Sequence, residues 1–270
     1  MTYKKFLIIA SKQDTAGMNI ASQLSQYSQK NFKIHLIDSS ILYEENLDLE
    51  LIKEFDFIIF ASKHSTNSDN PEKTLCIHAP GNFKQALYGG KPGKLSNTSA
   101  MFIKKFFEKI NENARQYKLD SYKVTLEATH HGPFIEKPCA FIEIGSVERE
   151  WKNKKIGFIL ARTIFDTIEN FQENPYNEVA IAIGGPHYCP NFNKIQEKSN
   201  YAISHVIPQY VLPLTPEMVK EALDKTDEEV DLALIDWKGV GNSHERDRII
   251  GILEKMHVRW KKTNDAKKEI

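Results

Sequence analysis

Two short segments carry the residue types from which acid–base or metal chemistry is built: Thr129-His130-His131-Gly132-Pro133 and Gly184-Gly185-Pro186-His187-Tyr188. Each follows an apolar, strand-like run. Side chains alternate along a strand, so Thr125, Glu127, Thr129 and His131 are expected on one face and Leu126, Ala128 and His130 on the other. Gly132-Pro133 then ends the strand and leaves His131 at a tip that substrate can reach, while His130 is as well explained by structure as by function. In the second segment Gly184-Gly185 lets backbone approach a ligand closely and offers N–H groups for an oxyanion. Pro186 fixes the turn before His187. The expected catalytic set is His131 and His187, with Thr129 on the same strand face as His131.

The same histidines could bind a metal. His78, His131 and His187 follow strand-like segments, and Glu143 lies in the apolar run Ala140 to Ile144. Imidazole nitrogen and carboxylate oxygen are proper zinc ligands, and three of them with an open fourth position make a hydrolytic centre. No compact spacing such as His-Glu-x-x-His accompanies them. The alternative is a metal-free histidine base with a pKa near ~6.5. Cys189, beside His187, reads as a small buried hydrophobe rather than a nucleophile. The chain has no Gly-x-Ser-x-Gly elbow, no Walker A loop and no GxGxxG after its first strand, which disfavours serine hydrolase, P-loop and dinucleotide chemistry.

Such loops need elements to hold them. Apolar runs predict strands over Lys4–Ala10, Phe32–Ile37, Asp56–Ala61, Tyr122–Ala128, Cys139–Ile144, Glu178–Ile183, Val206–Leu212 and Val230–Ile235. Helical patterns lie between several of them, over Ala16–Gln29, Ser96–Tyr117, Glu148–Asn170, Thr215–Leu223 and Ser243–Trp260, with Ser96, Asn97 and Ser243 as caps. This alternation predicts one α/β domain over residues 1–270: a mostly parallel or mixed sheet, helices on both faces, and ligands beyond the carboxyl ends of strands. Lys137-Pro138 joins two strands so tightly that an antiparallel return is expected there. The polar, Pro- and Gly-containing stretch from Lys63 to Leu95 reads as a long binding loop.

With 41% hydrophobic and 27% charged residues, the 270-residue chain matches ordinary globular usage and excludes a disordered or disulfide-stapled protein. Three cysteines cannot all pair, no run approaches the ~20 apolar residues of a membrane span, and the first residues lack a secretory pattern. A cytoplasmic location is expected. Net charge is zero but unevenly placed: Asn82 to Lys123 holds nine basic and three acidic residues, and Pro213 to Asp236 holds two basic and eight acidic. The basic stretch is either a solvated helix face or a surface for a polyanion.

Four blocks occur in order: His78-Ala79-Pro80-Gly81-Asn82-Phe83, Glu127-Ala128-Thr129-His130-His131-Gly132-Pro133, Gly184-Gly185-Pro186-His187-Tyr188-Cys189-Pro190 and Asp236-Trp237-Lys238-Gly239. In this order they resemble the archaeal and plant type of D-aminoacyl-tRNA deacylase. The resemblance implies hydrolysis of the ester between a D-amino acid and the terminal ribose of tRNA, with zinc as cofactor and tRNA as partner. It also implies a fold similar to the phosphorylase/hydrolase-like proteins, which include bacterial peptidyl-tRNA hydrolase. Substrate contacts are expected from Asn82, Gly132, Gly185, Tyr188 and Lys238, and the length suits one subunit acting as a monomer. Competing expectations are a peptidyl-tRNA hydrolase, a nucleoside phosphorylase-like enzyme, and an RNA-binding protein without catalysis.

Overall fold

The computed structural model describes residues 3–270 apart from Asn46, Asp48, Asn67, Glu173, Pro175 and Tyr176. In chain order its elements are β1 (Phe6–Ser11), α1 (Thr15–Leu24), β2 (Phe32–Ile37), α2 (Leu49–Lys53), β3 (Phe57–Lys63), β4 (Thr74–His78), β5 (Gly81–Asn82), β6 (Lys94–Leu95), α3 (Ala100–Gln116), β7 (Lys123–Leu126) and β8 (Cys139–Gly145). The second half adds α4 (Glu148–Trp151), α5 (Lys154–Glu169), β9 (Glu178–Ile183), α6 (Pro190–Lys198), β10 (Tyr201–Ile207), α7 (Pro216–Asp224), β11 (Leu232–Ile235), α8 (Ser243–Lys255), β12 (Trp260–Lys262) and α9 (Thr263–Ala266).

The strands form a six-stranded sheet ordered β2-β1-β3-β8-β4-β7, a parallel four-stranded sheet ordered β10-β9-β11-β12, and the small β5-β6 ribbon. In the larger sheet β2, β1, β3 and β8 run parallel, while β4 pairs antiparallel with β8 and parallel with β7. The sheet is therefore mixed. The antiparallel neighbour of β8 is β4, however, and not the strand just before Lys137-Pro138.

Continuous apolar runs arise because both sheet faces are covered. Phe6, Ile8 and Ala10 pack in a cluster with residues of α1, α3, α5 and the second sheet, whereas Leu7 and Ile9 pack on the opposite face with Ile58, Phe60 and Phe141. Helix α3 forms because Phe102, Ile103, Phe106, Phe107 and Ile110 make one buried stripe, and Ser99 caps it by accepting from the Phe102 N–H. The expected start at Ser96 is too early. Ser96 instead donates to the Pro133 carbonyl (2.8 Å) and accepts from the Ile135 N–H (2.9 Å), which anchors the chain beyond His131.

Other differences have local causes. The expected helix from 148 to 170 breaks at Asn153, whose side chain caps α5. The strand expected over 206–212 lies at 201–207, because Pro208 has no N–H to continue the ladder. β4 falls inside the stretch expected to be a loop; its polar Thr74 and His78 are buried and hide the strand signal. Among the described residues no helix is long and apolar enough to cross a membrane.

Candidate active site

The end of β7 is where the two sheets meet. The Ala128 N–H donates to the His187 carbonyl (2.8 Å) and the Thr129 N–H to that of Val206 (3.0 Å), so the carboxyl ends of β9 and β10 are tied to the segment after β7. Strand geometry has already ended there. His130 forms an isolated bridge with Pro80, and His131 takes a left-handed φ of 42°. The alternation expected from the sequence therefore fails, and both His130 and His131 line the same cavity. Thr129 goes the other way. Its hydroxyl lies 3.2 Å from His205 Nδ1 and accepts from the Val206 N–H, so it is a buried joint between the sheets and not a partner of the two histidines.

The cavity measures about 480 Å³ and opens beyond the carboxyl ends of β1 and β3, where Ser11, Ser62, Lys63 and His64 contribute to its wall. Buried next to the lining histidines His64, His130 and His187 is Glu127, 2% exposed. Its Oε1 lies 2.9 Å from His64 Nδ1, and its Oε2 lies 3.6 Å from His187 Nε2, 3.7 Å from His130 Nε2 and 3.9 Å from His78 Nε2. Among the described residues neither Glu127 oxygen has an aligned hydrogen bond, nor has His78 Nε2. Glu143, from β8, approaches His64 Nδ1 to 3.7 Å and His78 Nε2 to 3.8 Å. On its far side His64 Nε2 is 2.8 Å from the Tyr188 hydroxyl.

Three imidazoles share one orientation device. Nδ1 of His78, His130 and His131 each faces a backbone carbonyl, of Ala79 (3.2 Å), Ala128 (2.8 Å) and Gly132 (2.7 Å). Donation from Nδ1–H leaves the Nε2 lone pair as the free acceptor. The rings lie close together, with centroids 4.2 Å apart for His78–His130 and for His130–His131.

Burial and charge split the cluster into two protonation classes. Burial pushes His78 down to about 3 and His131 to about 4, and it holds His130 well below the ordinary histidine value. All three are neutral at pH 7. Burial acts against the charged form of His64 as well, but Glu127 and Glu143 outweigh it and lift that ring to about 11. Burial raises Glu143 to about 7, with the Glu127 charge adding to the effect. Burial opposes ionisation of Glu127 too, yet His187 and His64 hold it well below the carboxylate range. A carboxylate, an imidazolium and three neutral imidazoles thus stand together at the cavity, with His64, His130 and His131 on its wall and Glu127 and His78 buried.

Of the residues singled out in the sequence, His78, His131, His187, Glu143 and Tyr188 are brought together. Others are placed elsewhere. The Asn82 side chain donates to the Gly89 carbonyl (2.9 Å). The Gly132 N–H donates to the Tyr88 carbonyl, and a Cβ on Gly132 would lie 2.2 Å from Gly90 N. The Gly184 and Gly185 N–H groups donate to the carbonyls of Ile207 (2.8 Å) and Gly239 (3.2 Å), so neither is available to an oxyanion. Lys238 is exposed after β11 and does not line the cavity. His64 and Glu127 join the site without having been expected there. The available signals were a histidine directly after a buried strand and an acid closing an apolar one.

The basic stretch also changes meaning. Lys104 is 3% exposed and donates to the carbonyls of Gln196 and Ser199, each at 2.6 Å. Lys94, Arg115 and Lys123 pair with Glu221, Glu197 and Glu72. Part of the positive excess is therefore spent inside the molecule, including against the acidic stretch.

Fold and site together define an α/β protein whose strand ends gather a histidine–carboxylate centre suited to hydrolysis. The chain belongs to the D-aminoacyl-tRNA deacylase family, whose sequence model matches residues 51–261. It is 32% identical to the D-aminoacyl-tRNA deacylase of Methanocaldococcus jannaschii, an alignment covering 96% of this chain and 99% of that protein. With the D-aminoacyl-tRNA deacylase of Thermococcus onnurineus it shares 35% identity over 86% of this chain and 91% of the relative. A solved crystal structure of a conserved protein of unknown function superposes with a TM-score of 0.89 at 30% identity, covering 100% of this chain and 99% of that one.

Proposed function

We propose that this protein hydrolyses the ester bond of D-aminoacyl-tRNA, releasing the free D-amino acid and tRNA. The observation that carries the reading is the buried Glu127 carboxylate, ringed by nitrogens of His64, His78, His130 and His187 at 2.9–3.9 Å, with His64, His130 and His187 lining an open cavity. Water adds to the ester carbonyl, and collapse of the tetrahedral intermediate breaks the bond to the ribose oxygen. His187 stands at the cavity wall with Nδ1 3.4 Å from the Tyr210 hydroxyl and Nε2 beside Glu127. In this reading it takes the proton of the attacking water and delivers it to the leaving ribose oxygen. The His64 imidazolium, held by Glu127, places positive charge where the oxyanion develops.

Zinc fits the donor set. Among the described residues, buried His78 Nε2 and both Glu127 oxygens have no aligned hydrogen bond, and His78, His130 and His131 are neutral with Nδ1 tied to backbone. These three histidines, with Glu127 beside them, are the residues that would hold the ion; His187 and Glu143, expected as ligands from sequence, then act around it. When bound, zinc lowers the pKa of a coordinated water and polarises a carbonyl.

The same reading takes residues 1–270 as one catalytic unit, a monomer working in the cytoplasm, with a fold akin to the phosphorylase/hydrolase-like proteins and bacterial peptidyl-tRNA hydrolase. Single-turnover assays on matched D- and L-aminoacyl-tRNA test the activity. Release from the D ester alone is expected; equal turnover of both, or cleavage of peptidyl-tRNA instead, overturns it.

A further inference from the structure

Exposed large apolar side chains are informative when they cluster beside a cavity. Leu87 and Tyr88, in the β5–β6 connection, are 70% and 63% exposed, and Tyr43 is 58% exposed. Tyr88 also lines the cavity together with His130, His131 and His187. Its backbone is far from loose. The Tyr88 carbonyl accepts from the Gly132 N–H (2.9 Å), the next carbonyl, of Gly89, accepts from the Asn82 side chain (2.9 Å), and the Gly90 N–H donates to the Glu45 carboxylate. A Cβ on Gly89 would lie 1.6 Å from the Leu42 carbonyl oxygen, so this loop packs directly on the segment leading to Tyr43. Among the described residues no other ring or cation covers the Tyr88 ring.

A rigid backbone that presents an uncovered aromatic face beside a reaction cavity is preorganised to stack a flat, polar-edged ring. We propose that Tyr88, flanked by Leu87 and Tyr43, is the platform on which the unpaired nucleobases at the 3′ end of tRNA stack while the ester enters the cavity. The inference rests on the proposed activity and adds the group that positions its nucleic-acid half. Stacking serves here because part of the basic stretch is committed within the protein: Lys104 is buried, and Lys94, Arg115 and Lys123 are paired with acids. It also suits an end shared by all tRNAs, since every base has a π face and stacking reads no sequence.

The test uses the full chain and an uncharged RNA minihelix ending in unpaired CCA, with 2-aminopurine replacing the terminal adenine. Stacking on Tyr88 quenches the probe, and Tyr88→Ala is expected to weaken binding roughly 5- to 150-fold, the range measured for loss of one base–aromatic stack. Tyr88→Phe keeps the ring and is expected to bind like the parent. A minihelix whose single-stranded end is removed should bind parent and Tyr88→Ala alike. Because the probe carries no amino acid, absence of D-aminoacyl-tRNA hydrolysis would defeat the activity reading without touching this result. Parent-like binding by Tyr88→Ala, or a loss in Tyr88→Phe as large as in the alanine variant, would overturn the platform.

Discussion

The pairing of Glu127 with His64, and the standby position of Glu143, predict a specific failure of additivity. Lifting His64 from 6.5 to about 11 corresponds to a ceiling of about 6 kcal/mol at roughly 1.36 kcal/mol per pKa unit, shared between the two carboxylates. The folded value lies above the unfolded one, so this stabilisation is complete below pH 6.5 and is lost as pH rises through about 11; at pH 7 most of it remains. Breaking a buried pair by removing one partner ordinarily costs roughly 3–5 kcal/mol. Glu127→Gln should cost less, about 1 kcal/mol, because loss of its charge lets Glu143, now raised to about 7, ionise 3.7 Å from His64 Nδ1. Glu143→Gln alone should cost on the order of 1 kcal/mol, and the double variant the full 3–5 kcal/mol. The assay is urea unfolding of chelator-dialysed parent, single and double variants at pH 7, with the His64 ring followed by NMR. His64 should stay protonated in both single variants and, with burial unopposed, titrate below its ordinary value only in the double. Losses that add within about 0.5 kcal/mol, or a Glu127→Gln variant as unstable as the double, would refute the argument.

Four further outcomes follow from the site and its frame. His187→Ala should lower the single-turnover rate roughly 10²- to 10⁴-fold while tRNA affinity changes little, as expected for a proton carrier; rapid-quench and filter-binding measurements separate the two. His78→Ala, His130→Ala and His131→Ala should each lower the zinc content of purified protein measured by elemental analysis, and a chelator should silence the parent until zinc is restored. His205, fully buried and pushed by burial to about 4, binds its proton more readily unfolded than folded, so stability should fall as pH drops from 6.5 towards 4, by roughly 1.4 kcal/mol per pH unit from this residue; denaturation midpoints of parent and His205→Gln against pH check the difference. Lys104→Met should lower stability by about 1–3 kcal/mol through the stranded carbonyls of Gln196 and Ser199, without altering the salt slope of tRNA binding.

The local chemistry of this protein was legible in its sequence. Apolar runs placed β1, β2, β3, β8, β9 and β11, and the histidine segments were read correctly as strand ends, because burial on both faces and glycine-proline stops leave marks at nearest-neighbour range. His78, His131, His187, Glu143 and Tyr188 were singled out by type and position, and all five converge. What the sequence could not carry was which side each residue faces once the strand ends. Thr129 and His130 exchanged their expected places because two backbone bonds to the second sheet, Ala128 to His187 and Thr129 to Val206, pull the chain out of alternation. The central role of Glu127 was equally hidden, since a buried acid becomes a hub only when β3, β4, β7 and the turn after β9 bring four imidazoles around it. Likewise, whether a glycine N–H is free for an oxyanion depends on carbonyls fifty residues away, such as that of Gly239 over Gly185. Residue type fixes what a group can do, whereas its protonation, partners and direction are long-range properties that exist only after the two sheets have met.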